Sequence, residues 1–175
     1  VFDLKSIYQT VLKSVFTVML LFLSVAGWGQ TNPTPQTLPY TQNFSTLTGT
    51  SPVYPAGFQG WDNGGSLSGS FDTAVPTANR AITVGSNTTV TRGVYDMVDK
   101  MGLSNTGTAL SFICLAVNTT SYSSVNVSFK AGTQRTENSR LNEIGLQYRI
   151  GTTGAFTNVS GSTYQNQMSP TNTTG

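Results

Sequence analysis

The chain has 175 residues and a formal net charge of +2 at pH 7, and 9% of its residues are charged, against about 25% in ordinary globular proteins. The hydrophobic content of 37% excludes a disordered chain, and the absence of any Lys/Arg cluster excludes nucleic acid as a partner. The sequence contains no histidine, which excludes nucleophilic enzymes that use an imidazole base and most zinc enzymes.

The amino-terminal segment has the pattern of a secretory signal peptide. Basic residues precede an apolar run, 15–23, in which Thr17 is the one polar residue, and small residues follow it. A membrane anchor is the alternative, but a spanning helix needs about 20 apolar residues, more than this segment supplies. A buried core helix would not carry such a basic flank. We predict a signal-peptide helix over 1–29, cleavage between Gly29 and Gln30, recognition by the export machinery and no membrane span in the mature chain. The expected location is extracellular or on the outer cell surface.

The composition divides the mature chain into a linker, a domain and a tail. Residues 30–37 are rich in Pro and Thr and predict an extended linker. A β domain is expected over 38–168. Residues 169–175 are polar and add no closing strand, so we expect the domain to be incomplete here, because a sandwich without its last strand exposes an edge.

Short β-type segments recur along the domain without an amphipathic helix between them. In the first half we expect a strand near Leu38, Tyr40 and Phe44, a hairpin over 81–94 that turns at 85–87, and a helical turn over 95–101. In the second half we expect a strand buried on both faces over 109–117, half-exposed strands over 125–130 and 144–150, and a hairpin from 144–150 through 151–154 into 155–159. The pattern predicts an all-β fold, an antiparallel β-sandwich of jelly-roll-like type. Cys114 is the one cysteine, so it forms no intramolecular disulfide and is expected to be a small buried hydrophobe.

Sugar binding is one function that the residue types allow, since it needs aromatic faces and planar polar groups. The candidate ligand-binding residues are Trp61, Tyr95, Arg135, Asn138, Arg140 and Asn142. The aromatic pair would stack on a sugar, and the others would donate or accept hydrogen bonds. In the alternative interpretation, Trp61 is a core residue beneath a loop and 134–142 is a solvated connection between strands.

Calcium is the metal that this sequence favours, because oxygen ligands are plentiful. Asp62, Asp96 and Asp99 stand in Asp/Asn/Gly-rich segments that could supply them, although none has EF-hand spacing. The alternative is that these residues form turns. No cofactor is otherwise implied, and the carboxylates form no motif for a glycosidase pair.

Five segments of the domain form a recognisable set. They are Tyr40-Thr41-Gln42-Asn43-Phe44, Pro55-Ala56-Gly57-Phe58, Asn79-Arg80-Ala81, the stretch 139–151 with its continuation 154–157, and Tyr164-Gln165-Asn166. Together they resemble a recurrent module of secreted Bacteroidota proteins. Asp72-Thr73-Ala74 is similar to the acidic-Thr-apolar motif that such bacteria O-glycosylate, which makes Thr73 a candidate. The resemblance implies a jelly-roll-like β-sandwich at the front of a large cell-surface protein exported by type IX secretion. It implies no ligand residues.

Two functions remain open at this point. The first is a non-catalytic binding or adhesion module for a glycan or surface polymer. The second is a structural spacer that displays a hydrolase or nuclease domain encoded downstream. A hydrolase within the chain itself is disfavoured, because no catalytic constellation is present in the sequence.

Overall fold

Strands, turns and extended segments make up the part of the chain that the computed structural model describes, residues 31–62, 75–89, 91–105, 110–134 and 143–165. These residues contain no helix, so the all-β prediction is confirmed for them. The strands are β1 Gln36–Thr37, β2 Phe58–Asp62, β3 Ala78–Arg80, β4 Ile82–Val84, β5 Gly93–Asp96, β6 Met101–Ser104, β7 Ser111–Leu115, β8 Val117–Asn118, β9 Glu143–Ile144, β10 Gln147–Tyr148, β11 Thr157–Asn158 and β12 Tyr164–Gln165. The predicted signal-peptide helix and the polar tail 169–175 lie outside these residues.

The first of two three-stranded sheets has the order β3-β2-β7 and is antiparallel throughout. Gly60 of β2 stands opposite Arg80 of β3 on one side and Ile113 of β7 on the other. The absence of a side chain at Gly60 has a steric reason, since a Cβ there would lie 1.9 Å from the hydroxyl of Tyr54. The glycine therefore leaves room for the Tyr54 side chain to pack against the central strand of this sheet.

The second three-stranded sheet has the order β4-β5-β6. β4 and β5 pair in parallel, with Ile82 opposite Val94, so the hairpin predicted over 81–94 is wrong. The connection reverses direction twice instead of once, and this returns the chain to the same orientation. β5 and β6 are antiparallel, so the helical turn predicted over 95–101 is replaced by a strand, a tight turn and another strand.

The two sheets pack against each other through β5 and β6 on one side and β7 on the other. Leu47, Ile82 and Val94 form the buried centre. The partly buried side chains around it are Phe44, Tyr54, Met101, Leu103 and Ile113. Branched and long apolar side chains from both sheets thus remove their surface from water at one interface. This arrangement is consistent with the predicted β-sandwich, and its jelly-roll connectivity stays a prediction.

The carboxyl-terminal part forms two small antiparallel pairs, β10 with β11 and β12 with β9. The hairpin between β10 and β11 confirms the one predicted through 151–154. Gly151 and Gly154 have φ values of +80° and +90°, in the left-handed region that glycine adopts without steric cost. The turn chemistry of the sequence therefore identified this connection correctly.

The amino-terminal strand lies earlier than predicted. β1, at Gln36–Thr37, pairs in parallel with β8, so part of the predicted linker 30–37 belongs to a sheet. Residues 38–44 form no strand. Phe44 has a φ of +60°, which is incompatible with extended backbone, and its ring instead packs edge-on against Phe58 at a centroid distance of 5.5 Å.

Three expectations about exposure are also wrong. β7 is not buried on both faces, since most of its side chains are half-buried. Among the described strands it pairs with β2 alone. Residues 125–130 form no strand and are exposed. In the 144–150 segment, Ile150 is 91% exposed, whereas Arg149 is half-buried. The alternation is thus inverted there, because the guanidinium of Arg149 packs on two aromatic rings.

Candidate binding cleft

A cleft of about 530 Å³ lies where β3, β4 and β5 meet the connection from 85 to 92. Its size falls within the usual range for small-molecule and cofactor sites, about 300–1,000 Å³. The polar side chains of its lining belong to Asn79, Arg80, Thr83, Thr89, Thr91, Arg92 and Tyr95. The lining thus combines two guanidinium groups with hydroxyl and amide groups.

The strand register explains why one of the arginines is held next to a buried carboxylate. Arg80 faces Gly60, and Asp62 faces Ala78, so Arg80 and Asp62 are diagonal neighbours on the same face of the antiparallel pair. A diagonal separation of about 7–8 Å is within reach of a long side chain. The Nη1 atom of Arg80 lies 3.6 Å from Oδ2 of Asp62.

The second arginine approaches the same oxygen from the position directly before β5. Nη2 of Arg92 lies 3.7 Å from Oδ2 of Asp62, which is 5% exposed. Arg80 Nη2 also donates a hydrogen bond to the main-chain carbonyl of Arg92. The cluster therefore holds two cationic groups around one carboxylate, and it fixes β5 to β3.

One nitrogen of this cluster is not satisfied within the described structure. Nη1 of Arg92 is buried and has no hydrogen-bond partner there. Guanidinium groups present their donors in a planar fork that matches a carboxylate. The arrangement is suited to binding an oxygen acceptor.

A second depression, of about 460 Å³, adjoins the cleft and shares Asn79 and Ala81 with it. Pro52, Val53 and Tyr54 contribute apolar surface. The Tyr54 hydroxyl donates a hydrogen bond of 2.7 Å to the carbonyl of Arg80, and burial raises the pKa of this phenol far above its usual range. The phenol is therefore a neutral, fixed part of the lining of the second depression.

The structure places the two predicted stacking residues in the interior. Trp61 is 1% exposed and Tyr95 is 6% exposed. The indole Nε1 of Trp61 donates to the carbonyl of Thr31 at 3.1 Å, and the Tyr95 hydroxyl donates to the carbonyl of Thr91 at 2.8 Å. Neither ring offers a free face to a sugar, so their prediction as stacking platforms is wrong. Tyr95 nevertheless belongs to the lining of the cleft, and its role as a ligand-binding residue stays a prediction. The alternative interpretation of Trp61 as a core residue fits its burial.

The three calcium candidates do not form a metal site. Asp62 lies between two arginines. Asp96 is fully buried, and its two carboxylate oxygens accept backbone N–H groups, those of Gly49 at 2.8 Å and Val98 at 3.0 Å. Asp99 is exposed and lies in the turn with a φ of +57°. Within the described ranges no group of three or more potential metal-ligating carboxylates or thiols exists. The interpretation as a turn residue therefore accounts for Asp99, whereas Asp96 ends β5 and its carboxylate binds both the following turn and the main chain at Gly49.

Several other predicted site residues lie outside the described part of the chain. They are the polar candidates Arg135, Asn138, Arg140 and Asn142, the modification candidate Thr73, and the cleavage pair Gly29 and Gln30. Cys114 is half-buried and reduced, and burial raises the pKa of its thiol to about 11. It therefore remains a protonated thiol at neutral pH.

Sequence reasoning missed the two arginines of the cleft. Arg80 and Arg92 are 12 residues apart and form no spacing motif. Arg80 directly precedes the hairpin predicted over 81–94 and Arg92 lies within it, and nothing in that pattern marks either residue as part of a site. Their convergence depends on strand register, which a single sequence does not reveal.

No helix in the described part of the chain is long and apolar enough to cross a membrane. Comparison with protein-family models, with curated proteins and with solved structures finds no match.

Proposed function

We propose that the chain is a non-catalytic extracellular binding module and that the cleft between β3, β4 and β5 binds a glycan. The observation that carries this proposal is the lining of the cleft, where guanidinium, hydroxyl and amide groups surround a volume of about 530 Å³. Sugars are recognised by planar and hydroxyl hydrogen-bonding groups of this kind. The adjoining depression adds apolar surface on which the C–H face of a neighbouring sugar ring can pack.

The export of the chain is part of the proposal and has its own test. The chain is expressed with its amino-terminal segment in a bacterial host that has a secretory pathway, and the cell fractions and medium are analysed. We expect the protein outside the cytoplasm with Gln30 as its first residue. A cytoplasmic protein with an intact amino terminus would contradict the export signal.

The binding test fills the cleft with a large side chain. Thr83 lines the cleft on β4 and is exposed, so Thr83→Trp occupies the cleft without disturbing the core. Thr152, exposed in the β10–β11 turn, provides the matched control Thr152→Trp. The exported protein is passed over immobilised neutral and charged polysaccharides. We expect retention on at least one of them, loss of retention with Thr83→Trp, and no change with Thr152→Trp.

Exposed apolar side chains in the second half favour a structural spacer as a second candidate. Tyr122, Val127, Phe129, Tyr148 and Ile150 are between 47% and 91% exposed, and apolar surface of this kind is often covered by other protein. A spacer is expected to be retained on none of the polysaccharides. The same experiment therefore separates the two functions.

A further inference from the structure

We infer that the glycan bound by this cleft is anionic, with carboxylate or sulfate groups that contact the guanidinium groups of Arg80 and Arg92. The inference rests on the proposed function and specifies its ligand class. The net charge of +2 gives no indication of a polyanionic partner. The positive site arises locally, where the strand register brings two arginines to one wall of the cleft.

The charge balance of the cluster favours an incoming anion. Two guanidinium groups face one carboxylate, that of Asp62, at N–O distances of 3.6 and 3.7 Å. These distances exceed those of hydrogen bonds, about 2.7–3.2 Å, so the ion pairs leave guanidinium donors available. One positive charge of the cluster remains uncompensated by Asp62.

The partial exposure of both arginines makes them accessible from the cleft. The side chain of Arg80 is 31% exposed and that of Arg92 is 23% exposed, and both residues line the cleft. An anionic oxygen is the better partner for such donors, because charge-assisted hydrogen bonds are about twice as strong as neutral ones. A neutral sugar hydroxyl would bind them less tightly.

The remainder of the surface fits a polymer better than a free small anion. Thr83 and Thr89 line the cleft around the arginines, where they can bind sugar hydroxyls. The cleft continues past Asn79 and Ala81 into the second depression. A chain of sugars can thus extend across both depressions while one acidic group contacts the arginine pair.

The test compares polymers that differ only in charge. The exported full chain is titrated by calorimetry with polygalacturonate and with the same polymer after methyl esterification, and in parallel with dextran sulfate and with dextran. We expect at least one anionic polymer to bind about tenfold more tightly than its neutral counterpart. The two pairs distinguish carboxylate from sulfate as the recognised group.

Charge variants at Thr83 show whether the anion binds in the cleft. We expect Thr83→Glu to weaken binding of the preferred anionic polymer about tenfold and Thr83→Lys to preserve or strengthen it. Thr152→Glu changes the net charge equally at a distant turn and is expected to have little effect. Arg92→Gln is expected to abolish the preference for the anionic polymer. The Thr83 variants keep the test decisive if the Arg92 variant does not fold.

Each outcome supports or overturns the inference. If anionic and neutral polymers bind equally and Thr83→Trp still prevents binding, the inference is wrong and the proposed glycan site stands. If Thr83→Glu and Thr152→Glu weaken binding equally, the attraction is non-specific and the inference is wrong. If none of the polymers binds, the inference and the proposed function both fail.

Discussion

Arg149 and Ile150 offer a direct test, because their order of burial is the reverse of what the sequence pattern predicts. The alternation over 144–150 places Ile150 inside and Arg149 in solvent. In the structure Ile150 is 91% exposed, and the Arg149 guanidinium lies 5.3 Å from the ring centroid of Trp61 and 4.6 Å from that of Phe156. The sequence pattern predicts that Ile150→Ala destabilises the fold and that Arg149→Ala does not. The structure predicts the reverse.

The expected loss for Arg149→Ala follows from its contacts. Each cation–π contact at a partly exposed site contributes about 0.5–1 kcal/mol. The guanidinium also donates to Oδ1 of Asn32 at 2.9 Å and to the carbonyl of Gly154 at 3.3 Å, bonds at exposed positions that add about 0.5 kcal/mol together. We expect Arg149→Ala to lower the free energy of unfolding by about 2 kcal/mol. Ile150→Ala removes little buried surface and should change it by less than about 0.5 kcal/mol.

Urea denaturation followed by circular dichroism measures both effects. With a slope of about 2 kcal/mol/M, Arg149→Ala should lower the midpoint by about 1 M and Ile150→Ala should leave it unchanged. Arg149→Lys is the control for charge, and it should recover only part of the loss because an ammonium group lacks the planar stacking surface. A loss above about 2 kcal/mol for Ile150→Ala, with Arg149→Ala neutral, would refute the inverted packing.

Three further predictions concern the buried polar groups and the crowded glycine. Asp62→Asn should cost about 2–3 kcal/mol in urea denaturation, because it leaves two guanidinium groups without their anion and these are only partly exposed; a neutral effect would show that the ion pairs do not stabilise the fold. The free energy of unfolding should fall as the pH rises from about 9 to about 11, because burial raises the thiol pKa of Cys114 from 9.0 to about 11 and the unfolded chain loses that proton first. In Cys114→Ala this part of the pH dependence should disappear, and an unchanged profile from pH-dependent urea melts would contradict the assignment. Gly60→Ala should lower the thermal midpoint by several degrees, because the new Cβ would meet the Tyr54 hydroxyl at 1.9 Å and the Arg80 carbonyl at 2.8 Å; Gly145→Ala, whose Cβ has no contact closer than 3.5 Å, is the matched control.

The predictions from local chemistry were the more successful ones. The all-β class followed from short β-type segments without amphipathic helices. The β10–β11 hairpin followed from the glycines at 151 and 154, because a left-handed turn depends on the turn residues themselves. The interpretation as turn residues rests on the same local logic for Asp99 and for one oxygen of Asp96, which accepts the main-chain N–H of Val98 two residues on.

The predictions that required knowledge of partners were the ones that failed. The 81–94 segment contains a plausible turn, yet β4 and β5 are parallel, because strand direction is decided by the sheet that both strands join. The inward position of Arg149 could not be read from its strand, since the rings of Trp61 and Phe156 lie elsewhere in the sequence. Burial on one face of a strand depends on what packs there, and alternation alone does not identify that neighbour.

The sequence by itself determined the β class and the turn residues, because each depends on the residues of one local segment. The tertiary structure alone decided where Arg80 and Arg92 meet. The diagonal register of β2 and β3 brings Arg80 to Asp62, and the parallel return to β5 brings Arg92 to the same carboxylate. A binding cleft built from side chains of separate strands exists only once the register is fixed, and that is why composition gave no sign of it.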